Sequence, residues 1–155
     1  MTTLNRAFLS LGSNLGDRRA QLRDAIASMN IEISVLAISA LYETAPVGGV
    51  AQDDFLNVVV EIDTTLSAMQ LLDACQALEA RANRVRTVRF GPRTLDVDVL
   101  LFGDSVITTD RLEVPHPRMW ERRFVLAPLR DLAPELVPQD VYEAAHGDVV
   151  EVGML

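Results

Sequence analysis

The segment from Leu95 to Phe102 decides the fold, and its sequence is Leu-Asp-Val-Asp-Val-Leu-Leu-Phe. Apolar and acidic residues alternate through its first half, as they do in a β-strand that turns one face to a core and the other outward. This alternation places Asp96 and Asp98 on one face, with about 6.5 Å of rise between them. We therefore expect a sheet with one apolar face and one face that carries paired carboxylates.

The chain before this strand alternates between strand and helix patterns. Leu22 and Ala25 begin an apolar spacing of three and four residues, which is typical of an amphipathic helix. Ser67 and Gln70 form a capping box, which marks the start of a second helix. The predicted elements are a strand from Ala7 to Leu11, a turn at 12–14, a helix, strands at 33–42 and 54–63, and a helix that ends near Asn83.

The order β-α-β-β-α-β is that of the ferredoxin-like fold, an α+β arrangement in which both helices pack on one face of an antiparallel sheet. The other face is left free for a ligand or for further elements. The C-terminal additions are a short partner strand at 105–108, a proline-rich loop at 114–118 and a helix from about Trp120 to Leu132. With 155 residues, the chain is expected to form a single domain, 1–155.

Composition limits the classes of function. The net charge of −8 disfavours nucleic acid as a partner, since that binding depends on neutralising phosphates. No segment approaches the roughly 18 uninterrupted apolar residues of a membrane span, and the N-terminus lacks an export signal. Cys75 is the single cysteine, so no internal disulfide can form and a reducing cytoplasm is the expected location.

All the basic residues of this acidic chain are arginines, apart from its two histidines. Five arginines fall in one short stretch just before the acidic strand: Arg81, Arg84, Arg86, Arg89 and Arg93. The absence of lysine excludes Schiff-base chemistry and a phosphate-binding loop of the Walker type. Guanidinium groups pair with phosphate oxygens through two hydrogen bonds, so this stretch indicates an anionic ligand that is bound locally.

Asp96 and Asp98 permit two interpretations. Two carboxylates held close together repel each other unless a cation or a proton lies between them, and magnesium is often bound by one or two carboxylates together with substrate phosphates. Alternatively, an Asp-x-Asp pair is a solvated strand face with ion pairs to neighbouring arginines, which is the commoner case for an isolated pair. The adjacent arginines and the Gly91-Pro92 turn bring the two interpretations closer without deciding between them.

Several other side chains have both a functional and a structural interpretation. Phe55 and Asn57 share one strand face, where they either bind a flat heteroaromatic or fill a minor core, and Phe124 has the same alternatives. His116 lies between two prolines and is either a phosphate ligand or a surface histidine. The segment 12–17 joins a strand to a helix without the glycine spacing of a phosphate loop, so we interpret it as a turn and helix cap.

Five separated segments together resemble the 6-hydroxymethyl-7,8-dihydropterin pyrophosphokinases of folate biosynthesis. The resemblance covers residues 7 to about 136, and the block at 91–98 is its most specific part. The segments are Leu-Gly-Ser-Asn-Leu-Gly-Asp at 11–17, Leu-Tyr-Glu-Thr at 41–44, Asp-Phe-Leu-Asn at 54–57, Gly-Pro-Arg-Thr-Leu-Asp-Val-Asp at 91–98 and Val-Pro-His-Pro-Arg at 114–118.

The resemblance implies a magnesium-dependent transferase that moves the terminal two phosphates of ATP onto the pterin hydroxyl and releases AMP. Asp96 and Asp98 would hold two magnesium ions, and Arg84 and Arg93 would be the catalytic arginines that hold the pyrophosphoryl group. A loop aromatic in this family closes over the substrates, so residues 84–92 are predicted to be mobile without ligand.

The resemblance also implies where each substrate binds. The pterin ring would lie between Phe55 and Phe124, while Asn57 and the backbone near Thr44 and Val47 read its hydrogen-bonding edge. The residues expected near the nucleotide are Gln76, Glu79, Arg84, Arg93, Val99, Arg111, His116 and Arg122. The implied partners are ATP and the pterin, bound by a monomer that uses neither a membrane nor nucleic acid.

Two other functions remain open at this stage. Small ferredoxin-like domains often bind small molecules, nucleotides or RNA on the open sheet face without catalysis. An ordinary kinase that transfers one phosphate would need the same metal and arginines, and it would release ADP in place of AMP.

Overall fold

The structure is a computed structural model, and it describes residues 3–14, 16–44, 54–82 and 95–155. Several sequence predictions lie outside the described residues. These are the pterin contact at Val47, the catalytic roles of Arg84 and Arg93, and the mobile segment 84–92.

Eight strands and four α-helices are assigned within the described ranges. The strands are β1 (Asn5–Ser13), β2 (Ile33–Ile38), β3 (Tyr42–Thr44), β4 (Phe55–Thr64), β5 (Asp96–Phe102), β6 (Ile107–Thr108), β7 (Glu113–Val114) and β8 (Val149–Glu151). The helices are α1 (Arg18–Ala27), α2 (Ala68–Ala82), α3 (Arg123–Leu132) and α4 (Gln139–Ala144), with short 3₁₀ turns at Met119–Glu121 and Pro134–Leu136.

The main sheet has the strand order β5-β1-β4-β3-β8. β2 lies off this path and also pairs with β4. All its strand pairs are antiparallel. β1 lies between β4 and β5, so the first and last strands of the β-α-β-β-α-β unit are neighbours. The predicted ferredoxin-like α+β fold is therefore confirmed.

Both faces of the sheet are covered, and each has its own core. On one face α1 and α2 pack over β1, β4 and β5 through residues such as Leu22, Leu71 and Val97. On the other face α3 packs over the same strands through Leu126 and Leu129, which contact Phe8 and Val59. The two cores thus share one sheet.

The local signals for both helix starts are confirmed. The Asp17 side chain accepts a hydrogen bond from the Ala20 amide at 3.1 Å and caps α1. In the capping box before α2, the Ser67 amide donates to the Gln70 side chain at 2.9 Å, and the Gln70 amide donates to the Ser67 hydroxyl at 3.2 Å. No described helix is long and apolar enough to cross a membrane.

Some predicted boundaries were wrong. Residues 33–42 contribute to two strands, β2 and β3. Between them, the Ser39 amide still donates to the Val59 carbonyl, but the Val59 amide donates to the Ser39 hydroxyl in place of a backbone carbonyl. Gly12 and Ser13 belong to β1 and not to the following turn. The strand at 105–108 does not return to β5; Ile107 pairs with Val114 in a separate two-stranded sheet. The helix predicted from Trp120 begins at Arg123, after a 3₁₀ turn.

The residues after α3, for which no element was predicted, form α4 and then β8. β8 pairs with β3 and extends the main sheet by one strand. The C-terminal segment is therefore part of the same sheet that carries the acidic strand.

Candidate active site

One row of the sheet brings together residues from four strands. Gly12 of β1 lies opposite Asp96 of β5 on one side and opposite Asn57 of β4 on the other. Asn57 in turn lies opposite Tyr42 of β3. Ser10, two residues before Gly12, lies opposite Asp98. In this register, the predicted metal residues on β5 and the predicted pterin residue Asn57 on β4 are separated by β1 alone.

Asp96 and Asp98 alternate with the buried Val97 and Val99, and both aspartates are half-buried. The two valines belong to the core beneath α1 and α2, so the carboxylates lie on the opposite, α3-facing side of the strand. Within the described ranges, no group of three or more acidic, histidine or cysteine side chains forms a metal site. A pair of carboxylates still fits magnesium, which takes its remaining ligands from water and substrate phosphates.

The outer edge of β5 is closed by two other segments. The Val97 amide donates to the Glu79 carboxylate at 3.0 Å, which ties α2 to the acidic strand. The His116 amide donates to the Leu100 carbonyl at 2.9 Å, which ties the proline-rich loop to the same strand. These contacts satisfy edge groups of the strand and bring Glu79 and His116 beside Asp96 and Asp98.

The His116 ring is held in one orientation. Its Nδ1 accepts a hydrogen bond from the Arg118 amide at 3.2 Å, so the proton of the neutral ring is on Nε2. Burial lowers the pKa of His116 below its usual range; Asp98 opposes this shift, while Arg122 and Arg118 add to it. His116 is therefore a neutral donor near neutral pH, within electrostatic range of a predicted metal ligand.

Arg122 and Phe124 flank the start of α3. The Arg122 guanidinium lies over the Phe124 ring, 5.5 Å from its centroid. Burial is the largest cause that lowers the pKa of Arg122, and Asp98 acts in the opposite direction, so these two groups also interact. The predicted phosphate ligands His116 and Arg122 thus lie on the Asp98 side of the site.

Asn57 presents an unused donor to this face. It is 4 % exposed, and its Nδ2 has no hydrogen-bond partner among the described residues. A buried donor without a partner costs about 1–3 kcal/mol, which a ligand that accepts its hydrogen bond would recover. Gly12 makes this position possible, because a Cβ there would lie 2.8 Å from Asn57 Oδ1.

The other predicted pterin residues lie at the end of the same strand pair. Phe55 is half-buried and lies opposite Thr44 in the β3–β4 register. Thr44 is buried, and its hydroxyl donates to the Asp148 carbonyl at 3.1 Å. The Thr44 hydroxyl therefore already has a partner in the C-terminal segment, and Thr44 also pairs with Phe55 and Val149 in the sheet.

The predicted nucleotide residues lie along α2 and beyond the β5 edge. Arg111 donates to Asp73 at 2.7 Å and to the Gln76 side chain at 3.1 Å, so Gln76 and Arg111 form one cluster. Val99 differs from the others: it is 3 % exposed, and its side chain faces the core beneath α1 and α2. A nucleotide contact at Val99 would therefore involve its backbone.

Sequence reasoning did not identify two residues that shape the site. Gly12 was interpreted as part of a turn, although a glycine inside a strand often marks a close approach by another group. Tyr42 donates its hydroxyl to Asp131 of α3 at 2.9–3.0 Å, which fastens α3 to the sheet. Burial and this hydrogen bond raise the pKa of Tyr42. No signal in the sequence pairs residues 42 and 131.

Replacing Gly12 by alanine should destabilise the protein. The new methyl group would lie 2.8 Å from Asn57 Oδ1, and such overpacking costs about 1–3 kcal/mol. Urea unfolding measures this decrease in the free energy of unfolding. Ser13→Ala is the matched control in the same strand, because its buried Oγ has no hydrogen-bond partner within the described ranges. Equal stability of Gly12→Ala and the wild type would contradict the close contact.

The charge environment of His116 can be tested by titration. Arg122→Gln should raise the pKa of His116, because it removes a positive charge that disfavours the imidazolium. Proton NMR of the imidazole ring measures the shift, and Arg23→Gln on the distant face should leave it unchanged. An unchanged pKa of His116 in Arg122→Gln would contradict the interaction.

The lowered pKa of His116 also makes stability depend on pH. Because the folded-state pKa is below the unfolded value of about 6.5, the contribution of His116 to stability is present above that value and is lost as the pH falls through the folded-state pKa.

The chain matches known proteins over most of its length. Residues 8–134 match the family model for 7,8-dihydro-6-hydroxymethylpterin-pyrophosphokinase (HPPK). A Bacillus subtilis protein named 2-amino-4-hydroxy-6-hydroxymethyldihydropteridine pyrophosphokinase is 48 % identical over 134 residues, which are 85 % of this chain and 80 % of that protein. A Pseudomonas aeruginosa protein of the same name is 46 % identical over 135 residues, with 86 % and 83 % covered.

A solved structure shares the fold at lower identity. Plasmodium falciparum HPPK-DHPS aligns with a TM-score of 0.69 at 16 % identity, over 91 % of this chain and 41 % of that one. This chain therefore spans less than half of that solved protein, and the likeness concerns the fold alone. The family model and the bacterial relatives carry the assignment: the chain belongs to the 7,8-dihydro-6-hydroxymethylpterin-pyrophosphokinase family.

Proposed function

We propose that the polar side of the sheet, formed by β5, β1 and β4 with the His116 loop and the start of α3, is the active site of a pterin pyrophosphokinase. The chain carries out ATP-dependent pyrophosphoryl transfer to hydroxymethyldihydropterin in folate biosynthesis, the activity of its family. The observation that supports this location is the row Asp96–Gly12–Asn57. In this row the proposed metal ligand on β5 and the proposed pterin ligand on β4 are separated by β1 alone.

Asp96 and Asp98 are proposed as the ligands of magnesium. Both carboxylates lie on the face away from α1 and α2, and both are half-buried, which leaves room for the phosphate oxygens that complete a magnesium site. When bound, magnesium supplies charge neutralisation at the transferring phosphates. Two ions are proposed, because the pyrophosphoryl group and the attacking hydroxyl both need a positive partner. The carboxylates themselves orient this charge without moving a proton.

His116 and Arg122 are proposed to bind the phosphates from the opposite side. His116 offers Nε2–H as a directional donor, because its Nδ1 is occupied by the Arg118 amide. Arg122 adds a fixed positive charge, and its contact with Phe124 limits the directions in which the guanidinium can move. Arg84 and Arg93 are proposed as further phosphate ligands from their place in the matched sequence. Positioned charges of this kind stabilise the transition state without reorganisation during the reaction.

The pterin is proposed to bind across β4 and the start of α3. Asn57 Nδ2, a buried donor with no described partner, suits an acceptor atom on the heterocycle. Phe55 and Phe124 supply flat apolar surfaces, while the backbone at Thr44 and Val47 completes recognition of the ring edge. This arrangement would direct the hydroxymethyl group toward β5, since Asn57 and Asp96 occupy the same row of the sheet.

The nucleotide is proposed to lie along the β5 edge. Gln76 and Arg111 form a polar cluster there, and Glu79 holds the strand through the Val97 amide. Arg111 also pairs with Asp73, so a nucleotide would compete with an exposed ion pair, which costs little to break. ATP and the pterin would thus approach from different edges and meet at Asp96 and Asp98.

A cytoplasmic monomer is the proposed working form. The large exposed apolar side chains are scattered over several elements: Leu4, Ile31, Leu36, Val106, Val150 and Met154. Single exposed apolar residues are ordinary on monomeric proteins and need no partner to cover them. Size-exclusion chromatography with light scattering measures the oligomeric state directly.

The proposed reaction predicts a particular product. Incubation of the purified chain with ATP, magnesium and 6-hydroxymethyl-7,8-dihydropterin should yield AMP at a rate that depends on the pterin. Chromatographic quantification of AMP and ADP measures the outcome, and reactions without pterin are the control. Pterin-dependent ADP would instead indicate transfer of one phosphate, and formation of neither product would indicate a binding protein without catalysis.

Asp98→Asn should abolish most of the turnover while the fold is retained. The amide keeps the volume of the carboxylate but removes the negative charge that holds magnesium, so the rate should fall by at least about a hundredfold. AMP formation measures the loss, and thermal unfolding verifies the fold. Asp104→Asn, at the exposed turn after β5, should leave the rate unchanged. A normal rate in Asp98→Asn would contradict the metal assignment.

A further inference from the structure

The C-terminal segment from His146 to Leu155, called the tail here, makes specific contacts near the proposed pterin site. The family match ends at residue 134, so the tail lies outside the matched region. It contains β8 and contacts three separate elements: β3, the start of α3, and α1. Each contact involves backbone groups of the tail, so it depends on the path of the tail more than on its side chains.

The first contact holds β3. Val149 to Glu151 pair with Thr44 to Tyr42 in antiparallel register. Two further hydrogen bonds extend this pairing: the Leu41 amide donates to the Gly153 carbonyl at 2.8 Å, and the Val152 amide donates to the Leu41 carbonyl at 2.9 Å. β3 is therefore held between β4 on one side and the tail on the other.

The second contact reaches a residue of the proposed pterin site directly. The Thr44 hydroxyl donates to the Asp148 carbonyl at 3.1 Å, and Thr44 is 8 % exposed. Thr44 lies opposite Phe55 and is the last described residue before the segment 45–53. The tail thus contacts β3 at the residue that lies opposite Phe55.

The third contact holds the other wall of the same site. The Arg123 amide donates to the His146 carbonyl at 3.1 Å, and the His146 amide donates to the Glu121 carbonyl at 2.8 Å. These bonds fix the 3₁₀ turn and the first residue of α3, on either side of Arg122. Phe124 follows immediately, so within residues 146–148 the tail bonds both to Thr44 and to Arg123, the residue before Phe124.

Arg19 of α1 anchors the far end of the tail. Its guanidinium donates to the Val152 carbonyl at 2.7 Å and to the Met154 carbonyl at 3.1 Å. Gly147 and Gly153 have φ values of 102° and 107°, which allow the tail to turn into and out of β8. Substitution of Arg19 can thus loosen β8 without touching the proposed site.

We propose that the tail positions the two walls of the pterin site, β3 with Thr44 and the start of α3 with Phe124, and that Arg19 is the positioning residue that holds the tail in place. This inference rests on the proposed function. It assigns the tail mainly to pterin recognition, because β8 and β5 lie at opposite ends of the sheet order. Its link to nucleotide binding is limited to the residues that flank Arg122. Gln76 and Arg111 lie beyond the β5 end.

Two dissociation constants test this assignment. Calorimetry measures the binding of a nonhydrolysable ATP analogue with magnesium, and then the binding of 6-hydroxymethyl-7,8-dihydropterin to the analogue-saturated protein. Arg19→Met should weaken pterin binding by about fivefold or more, since small displacements of positioning groups have large effects. It should weaken analogue binding clearly less, because the tail reaches the proposed phosphate ligands through the residues that flank Arg122. Arg19→Lys should restore most of the affinity, because its ammonium group can still donate to a carbonyl. Arg23→Met, exposed on the same helix, is the control.

Thr44→Val provides an independent test in case Arg19→Met fails to fold. Valine keeps the shape of threonine and its backbone but cannot donate to the Asp148 carbonyl, whereas Thr44→Ser keeps the donor. Weaker pterin binding in Thr44→Val alone would support the inference. Folded variants with unchanged pterin affinity, or with equal losses for analogue and pterin, would overturn it. Failure of the proposed function would appear separately, as absence of AMP from the wild-type chain.

Discussion

β1 lies between β4 and β5, and its hydrogen bonds to both strands fix the register on which the proposed site depends. Gly12 has Asp96 on one side and Asn57 on the other. A shift of either pairing by one residue would turn Asp96 or Asn57 to the opposite face, into the core beneath α1 and α2. The large apolar residues of β1 on that face, Leu9 and Leu11, are fully buried. A slipped strand would therefore place a carboxylate or an amide against this core, which is costly. Core packing therefore enforces the geometry of the polar face.

The same register explains why a buried amide can remain without a partner. Asn57 Nδ2 is held among packed strands, and its cost of about 1–3 kcal/mol is small beside the stabilisation from the two cores that share the sheet. A donor of this kind cannot rotate away to meet water, because Gly12 leaves only a narrow space beside it. The proposed site would thus hold the Asn57 side chain in place before a flat ligand binds. This would reduce the entropy cost of ordering that side chain on binding.

Much of this arrangement was predictable, because it depends on local periodicity. Alternation alone placed Asp96 with Asp98, and Phe55 with Asn57, on common strand faces, and the capping box marked the start of α2. The roles implied for His116 and Arg122 came from the resemblance to a family, since no local pattern brings residue 116 beside residue 98. Tyr42–Asp131 and Thr44–Asp148 could not be predicted, because they join residues about ninety or more positions apart through tertiary packing. Val99 shows the converse: its alternation with Asp98 already indicated a buried side chain.

The chain has a net charge of −8, yet its proposed substrate is a polyanion with magnesium. The positive charge that binds the phosphates must therefore be concentrated near the site. Among the described residues, aspartates are the proposed ligands of magnesium, whereas His116 and Arg122 are proposed to bind the phosphates. Asp98 opposes the lowering of the pKa of both His116 and Arg122, which means that the acidic strand and the basic side of the site partly neutralise each other. In the proposed complex, magnesium would pair with the carboxylates and the phosphates of ATP would pair with Arg122. Neither the carboxylates nor the arginine would then be left as an unpaired charge in a partly buried site. Burying an unpaired charge costs far more free energy than breaking an exposed ion pair.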